Sequence, residues 1–145
     1  MFTIESTFDG RGLFEEPCIV GAATVTTGEL VALTAGAGKP TATLAGIAVV
    51  PHGIITTGGV TGATGYFVRL MPGDVLKAPA TAADGTTAMS AGEVTSCIAL
   101  VGTQAMKISA TGLSFDAVTT SGGKLELVSF DSTNKIARVR IPIVS

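Results

Sequence analysis

Apolar and polar residues alternate most regularly near the C-terminal end of the chain, between Lys124 and Ile143. In this segment, KLELVSFDSTNKIARVRIPI, Leu125, Leu127 and Ser129 alternate with Glu126, Val128 and Phe130 before the polar run DSTN, and Ile136, Val139 and Ile141 are interleaved with Ala137, Arg138 and Arg140 after it. A period of two is typical of a β-strand with one buried face. Asp131 and Asn134 bound the polar run, and such side chains hydrogen-bond their own backbone in turns. The pattern predicts a strand, a turn and a second strand.

The rest of the chain predicts further short strands, separated by Gly- and Pro-containing turns. Predicted strands include CIVGAATV, ELVALTA, TATLAGIAVV, GIITTGG and YFVRLM. Residues 79–92, rich in Ala and Thr, are predicted to be a loop. The segments 93–101 and 104–109 are predicted to pair as a hairpin around a turn at Gly102 and Thr103. The turns between strands are predicted at Thr26–Gly28, Gly36–Pro40, Gly58–Gly65 and Pro72–Gly73.

These segments define the expected fold class. They amount to about ten short strands with a turn signal roughly every 8–12 residues, the spacing of a sandwich or barrel. We find no stretch of about 12 residues with sustained helical periodicity. We therefore expect an all-β chain, with residues 18–145 forming a single antiparallel β-barrel or β-sandwich.

Residues 1–17 differ from the rest of the chain in composition. They contain three of the six Phe residues, four acids and one base, interrupted by two glycines. One interpretation is an extended N-terminal arm that docks on another surface, and the alternative is an edge strand packed on its own domain. For the arm, the predicted partner-binding residues are Phe2, Phe8, Phe14 and Arg11.

Composition narrows the possible partners. The formal net charge is −2, and only 14% of residues are charged, which gives no electrostatic footprint for nucleic acid. The mean hydropathy of +0.56 comes largely from small residues: the chain has 19 Gly, 20 Ala and 21 Thr. The longest apolar run is far shorter than the roughly 20 residues that span a bilayer. We expect neither a nucleic acid partner nor a membrane partner, and the N-terminus has no secretory-signal pattern.

No residue pattern indicates a catalytic or metal site. The single histidine, His52, lies between Pro51 and Gly53 with no acid nearby in the sequence, and the chain has no G-x-S-x-G motif. Cys18 and Cys97 lie in separate apolar runs and are too scattered, with His52, to bind zinc. We interpret them as buried free thiols in a protein made in a reducing compartment, and a disulfide between them is the alternative. We expect no enzyme activity and no cofactor.

Two segments, YFVRLMPGDVLKA and KLELVSFDSTNKIARVRIPI, preceded by GELVALTAGAGKPTA, resemble the small Gly/Ala/Thr-rich head decoration (cement) proteins of tailed bacteriophages. The resemblance implies an all-β virion protein on the capsid exterior, made in the host cytoplasm. It also implies a homotrimer that binds the major capsid protein and bridges its subunits. It brings no catalytic residues.

If the chain forms a ring, Glu15 and Glu16 of one subunit could pair with Arg138 and Arg140 of a neighbour. The alternative functions are another phage virion β-protein, such as a tail tube or baseplate component, and a glycan-binding β-module. Tail tube subunits generally combine a sandwich with a helix, so the lack of a helix pattern in this sequence counts against a tail tube subunit. A glycan site would need aromatic platforms, and the chain has no Trp and one Tyr, Tyr66.

Overall fold

The computed structural model describes residues 2–7, 9–10, 12–21, 24–45, 50–104, 106–111, 113–116 and 124–143. Within these ranges the chain forms eleven β-strands and one α-helix. In chain order they are β1 (Thr3–Ser6), β2 (Glu15–Val20), β3 (Leu30–Thr34), β4 (Thr41–Leu44), β5 (Gly53–Thr57), β6 (Thr64–Arg69), β7 (Val75–Thr81), α1 (Ala91–Ala99), β8 (Lys107–Ile108), β9 (Phe115–Asp116), β10 (Glu126–Asp131) and β11 (Ile136–Arg140).

The strands form two sheets. Five of them close into a small barrel in the order β2-β4-β3-β5-β6, because β6 pairs back onto β2. The others form an open sheet in the order β10-β11-β7-β9-β8, with β1 also paired to β7. The pairs β2–β4 and β7–β9 are parallel. The predicted all-β class is confirmed in broad terms. The expected single antiparallel barrel or sandwich is replaced, in the described residues, by a barrel and a second sheet.

Two hydrophobic cores lie on either side of the barrel wall. Val31 and Ile55 pack in the smaller core with other inward-facing barrel residues. Leu30 and Ile54 belong to the larger core, which joins the barrel to the open sheet and to α1. Successive residues of a strand point to opposite faces. A strand with a core on each face therefore needs consecutive apolar residues, as β3 and β5 have.

The barrel is narrow, and glycine allows its strands to approach closely. Gly65 on β6 lies opposite Cys18 on β2. A Cβ atom at this position would come 2.7 Å from the carbonyl oxygen of Thr57 and 3.4 Å from the sulfur of Cys18. Such a separation from a backbone oxygen is a steric overlap, so only glycine fits without a backbone shift.

The C-terminal hairpin has the predicted turn but a different strand register. Asp131 Oδ1 accepts hydrogen bonds from the backbone N–H groups of Thr133 and Asn134, at 3.0 and 3.1 Å. A β-bulge between Leu127 and Ser129 then shifts the pairing of β10 with β11 by one residue. Because a one-residue shift exchanges the two faces, Phe130 rather than Ser129 packs toward the core.

The prediction of a strand at 93–101 is wrong, because this segment forms most of helix α1. Ser90 Oγ accepts a hydrogen bond from the Glu93 N–H, and Glu93 Oε1 accepts one from the Ser90 N–H, both at 3.2 Å. This capping box satisfies two donors that would otherwise lack partners at the helix start. Val94 and Cys97 pack into the larger core from one helical face. At nine residues, α1 is too short to show helical periodicity over a stretch of about 12 residues.

The elements around α1 also differ from expectation. Instead of 104–109 pairing with 93–101, β8 pairs with β9. The predicted loop over 79–92 is shorter, since β7 continues to Thr81 and α1 begins at Ala91. Proline is tolerated at position 79 because no ladder hydrogen bond is needed from its nitrogen. The Ala80 N–H is the donor on the β11 side, and on the other side of β7 the pairing with β1 ends at Lys77 and the pairing with β9 begins at Ala80.

Candidate protein-binding face

Phe2 does not lie on an exposed arm. Its side chain is 2% exposed, and its ring meets Phe115 edge to face, with centroids 4.7 Å apart and planes at 80°. Its backbone N–H donates to the carbonyl oxygen of Gly28 at 3.1 Å. The next four residues form β1, which pairs antiparallel with β7. This part of the predicted arm is therefore an edge strand packed on its own domain, the alternative interpretation of the segment.

The boundary predicted between residues 17 and 18 does not separate two structural units. Strand β2 begins at Glu15 and continues across this position to Val20. Its first three residues pair with β6, with Glu15 opposite Val68. Of the other predicted arm residues, Phe8 and Arg11 lie outside the described residues.

Phe14 is the predicted partner-binding residue that the structure leaves on the surface. Its side chain is 76% exposed, and the preceding Leu13 is 49% exposed. Large exposed apolar side chains that lie together mark interaction surfaces more often than isolated ones do. Met71, 43% exposed, lies beside them at the end of the barrel. We call Leu13, Phe14 and Met71 the Phe14 face.

Paired strands and a fixed turn hold the Phe14 face in place. Phe14 directly precedes β2, whose first residue pairs with β6. Met71 begins the turn that follows β6, and its N–H donates to Asp74 Oδ2 at 2.9 Å. Gly73 occupies this turn with a φ of 90°, a conformation that glycine adopts without steric cost. Because β2 and β6 are antiparallel, the start of β2 and the end of β6 lie at the same end of this strand pair, and this end supports both exposed side chains.

Two hollows adjoin the Phe14 face. The first has a volume of about 260 Å³ and is bordered by the whole face together with Gly12, Glu16, Val68 and Arg69. The second, of about 210 Å³, lies between β1 and the barrel, and we call it the β1 hollow. Leu13 and Val68 border both hollows. The β1 hollow is lined by Phe2, Thr3, Ile4, Leu13, Ile54, Thr56 and Val68.

An ion pair borders the first hollow. Arg69 donates from Nε and Nη2 to the two carboxylate oxygens of Glu16, at 3.1 Å each. Both side chains are nearly half exposed, so the pair contributes little to stability. Its role here is to give the edge of the Phe14 face one charge of each sign.

The two arginines proposed for inter-subunit contacts, Arg138 and Arg140, have partners within the chain. Arg138 Nε donates to the carboxylate of Glu5, with N–O distances of 2.7 and 2.8 Å. Arg140 donates to Glu126 at 3.1 Å, across the β10–β11 pair. Counting back from the turn would place residue 127 opposite 140. The bulge shifts this register, so the sequence did not reveal the second pair.

The two cysteine thiols are part of the packed cores, and the His52 imidazole takes part in a contact between strands. Cys18 and Cys97 are fully buried free cysteines in different cores. Burial raises the pKa of the Cys97 thiol to about 11. Burial also raises the pKa of Cys18, against a smaller opposing effect of a backbone hydrogen bond with Gly65. His52 Nδ1 accepts a hydrogen bond from the Leu33 N–H at 2.9 Å, which extends the contact between β5 and β3.

Two searches of the described residues gave negative results. No group of three or more His, Cys, Asp or Glu side chains is placed to hold a metal ion. Among the helices in the described part of the chain, none has the length and apolar character needed to cross a membrane.

Comparisons of the chain with protein-family models, with curated proteins and with solved structures found no match.

Proposed function

We propose that this chain is a structural virion protein that binds the outer surface of a phage capsid and bridges subunits of the major capsid protein. In this proposal it acts as a homotrimer on the capsid exterior, after synthesis in the host cytoplasm. The observation that supports an assembly role most directly is the Phe14 face, with its 76% exposed aromatic ring. An exposed aromatic side chain among other apolar groups is typical of a surface that another protein covers.

The distribution of the remaining large apolar residues agrees with more than one contact surface. Val60, in the turn before β6, is 64% exposed. Ile98 and Val101, at the end of α1, are 51% and 44% exposed. These positions lie on different elements from the Phe14 face. A capsid-bridging protein needs separate surfaces for its own copies and for the shell, and small interfaces of this kind add together when several subunits bind at once.

The proposal is tested by locating the protein on native particles. An antibody to the purified chain is used for immunogold electron microscopy of particles released from the source cells after phage induction. Gold on the outside of heads is the expected result. Particles that carry no gold, while the protein is detected in the same lysate, would contradict the proposal. Sedimentation equilibrium of the purified chain tests the trimer separately, because a monomer mass at all concentrations would exclude it.

A tail tube or baseplate component is the second candidate, and helix α1 favours it over the glycan-binding alternative. Tail tube subunits generally contain a helix, and Ala91–Ala99 forms a helix in this chain. The same immunogold experiment separates the two proposals, since a tube subunit would be labelled along tails. Spontaneous formation of rings or tubes by the purified chain would also favour this second candidate.

A further inference from the structure

The Phe14 face combines a projecting ring with an adjacent hollow of matching size. A cavity of roughly 150 Å³ lined by apolar groups is large enough to bind benzene. The β1 hollow, at about 210 Å³, can therefore accept one phenyl ring. Phe14 of the same copy is not among the residues that line this hollow, whereas the neighbouring Leu13 is. The ring and the hollow are thus separate features on either side of Leu13.

The walls of the β1 hollow are already formed in the single chain. Phe2 and Ile4 come from the β1 region, which is held by its pairing with β7. Ile54 and Val68 come from β5 and β6, which pair with each other in the barrel. Apart from two threonines, every lining residue is apolar. A preformed apolar hollow binds an aromatic side chain without a large cost of ordering its walls.

The charges near the face allow two copies of it to meet. Apposing the same surface of two molecules brings like charges together, and unbalanced charges would repel. Here the charged side chains that border the first hollow are Glu16 and Arg69, which neutralise each other within one copy. A face with a ring, a hollow and a balanced edge is complementary to another copy of itself.

We propose that Phe14 of one copy occupies the β1 hollow of a second copy. Each copy can give one ring and receive one. Two copies can therefore exchange rings reciprocally, or the contact can repeat from copy to copy and close a ring of subunits where the rotation between neighbours allows closure. The inference rests on the proposed function only for the expectation that copies of the chain associate. It assigns the Phe14 face to contacts between copies and leaves other surfaces for the capsid.

The test measures self-association of three variants by sedimentation velocity over a concentration series. Phe14→Ser removes the ring, and Thr56→Trp fills the β1 hollow from a wall that the first hollow does not share. Val60→Ser is the matched control, since it removes an exposed apolar side chain outside both hollows. Phe14→Ser and Thr56→Trp are each expected to weaken association about 30-fold or more, as for a central aromatic contact. The control is expected to associate like the wild type.

Mixing the two defective variants gives a second, independent readout. The Phe14→Ser protein keeps an open hollow, and the Thr56→Trp protein keeps its ring. An equimolar mixture is therefore expected to form a one-to-one complex that neither variant forms alone. Failure of Phe14→Ser to weaken association, or a wild type that is monomeric at about 100 μM, where even a weak contact of this kind is populated, overturns the inference. An associating chain whose antibody labels no phage heads would instead overturn the proposed function and leave the inference standing.

Discussion

Replacing Phe2 with Ala tests whether the N-terminal segment belongs to the folded domain. The side chain is 2% exposed and packs edge to face on Phe115 in the larger core. Truncating a buried Phe to Ala costs about 3–5 kcal/mol, because packing contacts are lost and a cavity remains. A domain of this size loses roughly 2–4 °C of melting temperature per kcal/mol. The expected decrease for Phe2→Ala is therefore about 6–20 °C.

The assay is thermal unfolding by circular dichroism, at a concentration at which each protein is monomeric. Phe14→Ala is the matched control, because its ring is 76% exposed and its removal is expected to change stability by less than about 0.5 kcal/mol. Phe2→Leu keeps most of the volume and provides an intermediate value if the Ala variant does not fold. Equal melting temperatures for Phe2→Ala and the wild type would mean that this residue is not packed in the core, and would refute the reasoning.

Four further predictions follow from local geometry. Gly65→Ala is expected to lower the free energy of unfolding in urea by about 1–3 kcal/mol, because the added Cβ overlaps the carbonyl oxygen of Thr57. Lys135→Gly is expected to raise it by about 1 kcal/mol, since Lys135 has a φ of 54° in the C-terminal turn; an unchanged value would contradict this. Burial raises the pKa of Glu29, so the folded state binds the proton more tightly and loses stability as pH rises through that pKa. Glu29→Gln should flatten this decline in a pH series of urea titrations, and an unaltered pH profile would oppose it. Cys97, with a pKa near 11, should react with a thiol reagent at pH 8 only as fast as the protein unfolds; rapid labelling of the native protein would disprove this.

Local pattern predicted much of the strand content, but not the pairing between distant strands. The C-terminal turn was predictable because Asp131 forms its hydrogen bonds within the turn itself. The contact of β1 with β7 joins segments about 70 residues apart, and closure of the barrel depends on which strands meet. Two local signals were nevertheless present. Ser90 and Glu93 have the spacing of a capping box, and Val94 and Cys97 share a helical face.

The bulge in β10 shows why the candidate contacts were harder to predict than the strands. Alternation along KLELVSFD assigns Phe130 to the outer face, whereas one extra residue places it toward the core. The same shift sets Glu126 opposite Arg140 and gives this arginine a partner within the chain. One extra residue in β10 thus turns Phe130 toward the core and gives Arg140 an ion-pair partner within the chain. Strict alternation cannot anticipate such a bulge, because it turns Ser129 inward and Phe130 outward, whereas the shifted register reverses the two.

Because β1 is docked on the domain, binding through Phe14 costs less conformational entropy than binding through an aromatic group on a loose arm. A ring on a loose extension would bind at the cost of ordering the extension. Here Phe2 is anchored in the core, and β2 begins at Glu15, so the intervening segment is fixed at both ends. Phe14 is next to the second of these anchors, which limits the freedom it can lose on binding. Since the walls of the β1 hollow come from paired strands, neither side of the proposed contact requires a folding step. The association rate of the chain should therefore be set by collision and orientation, in the range of about 10⁵–10⁷ M⁻¹s⁻¹.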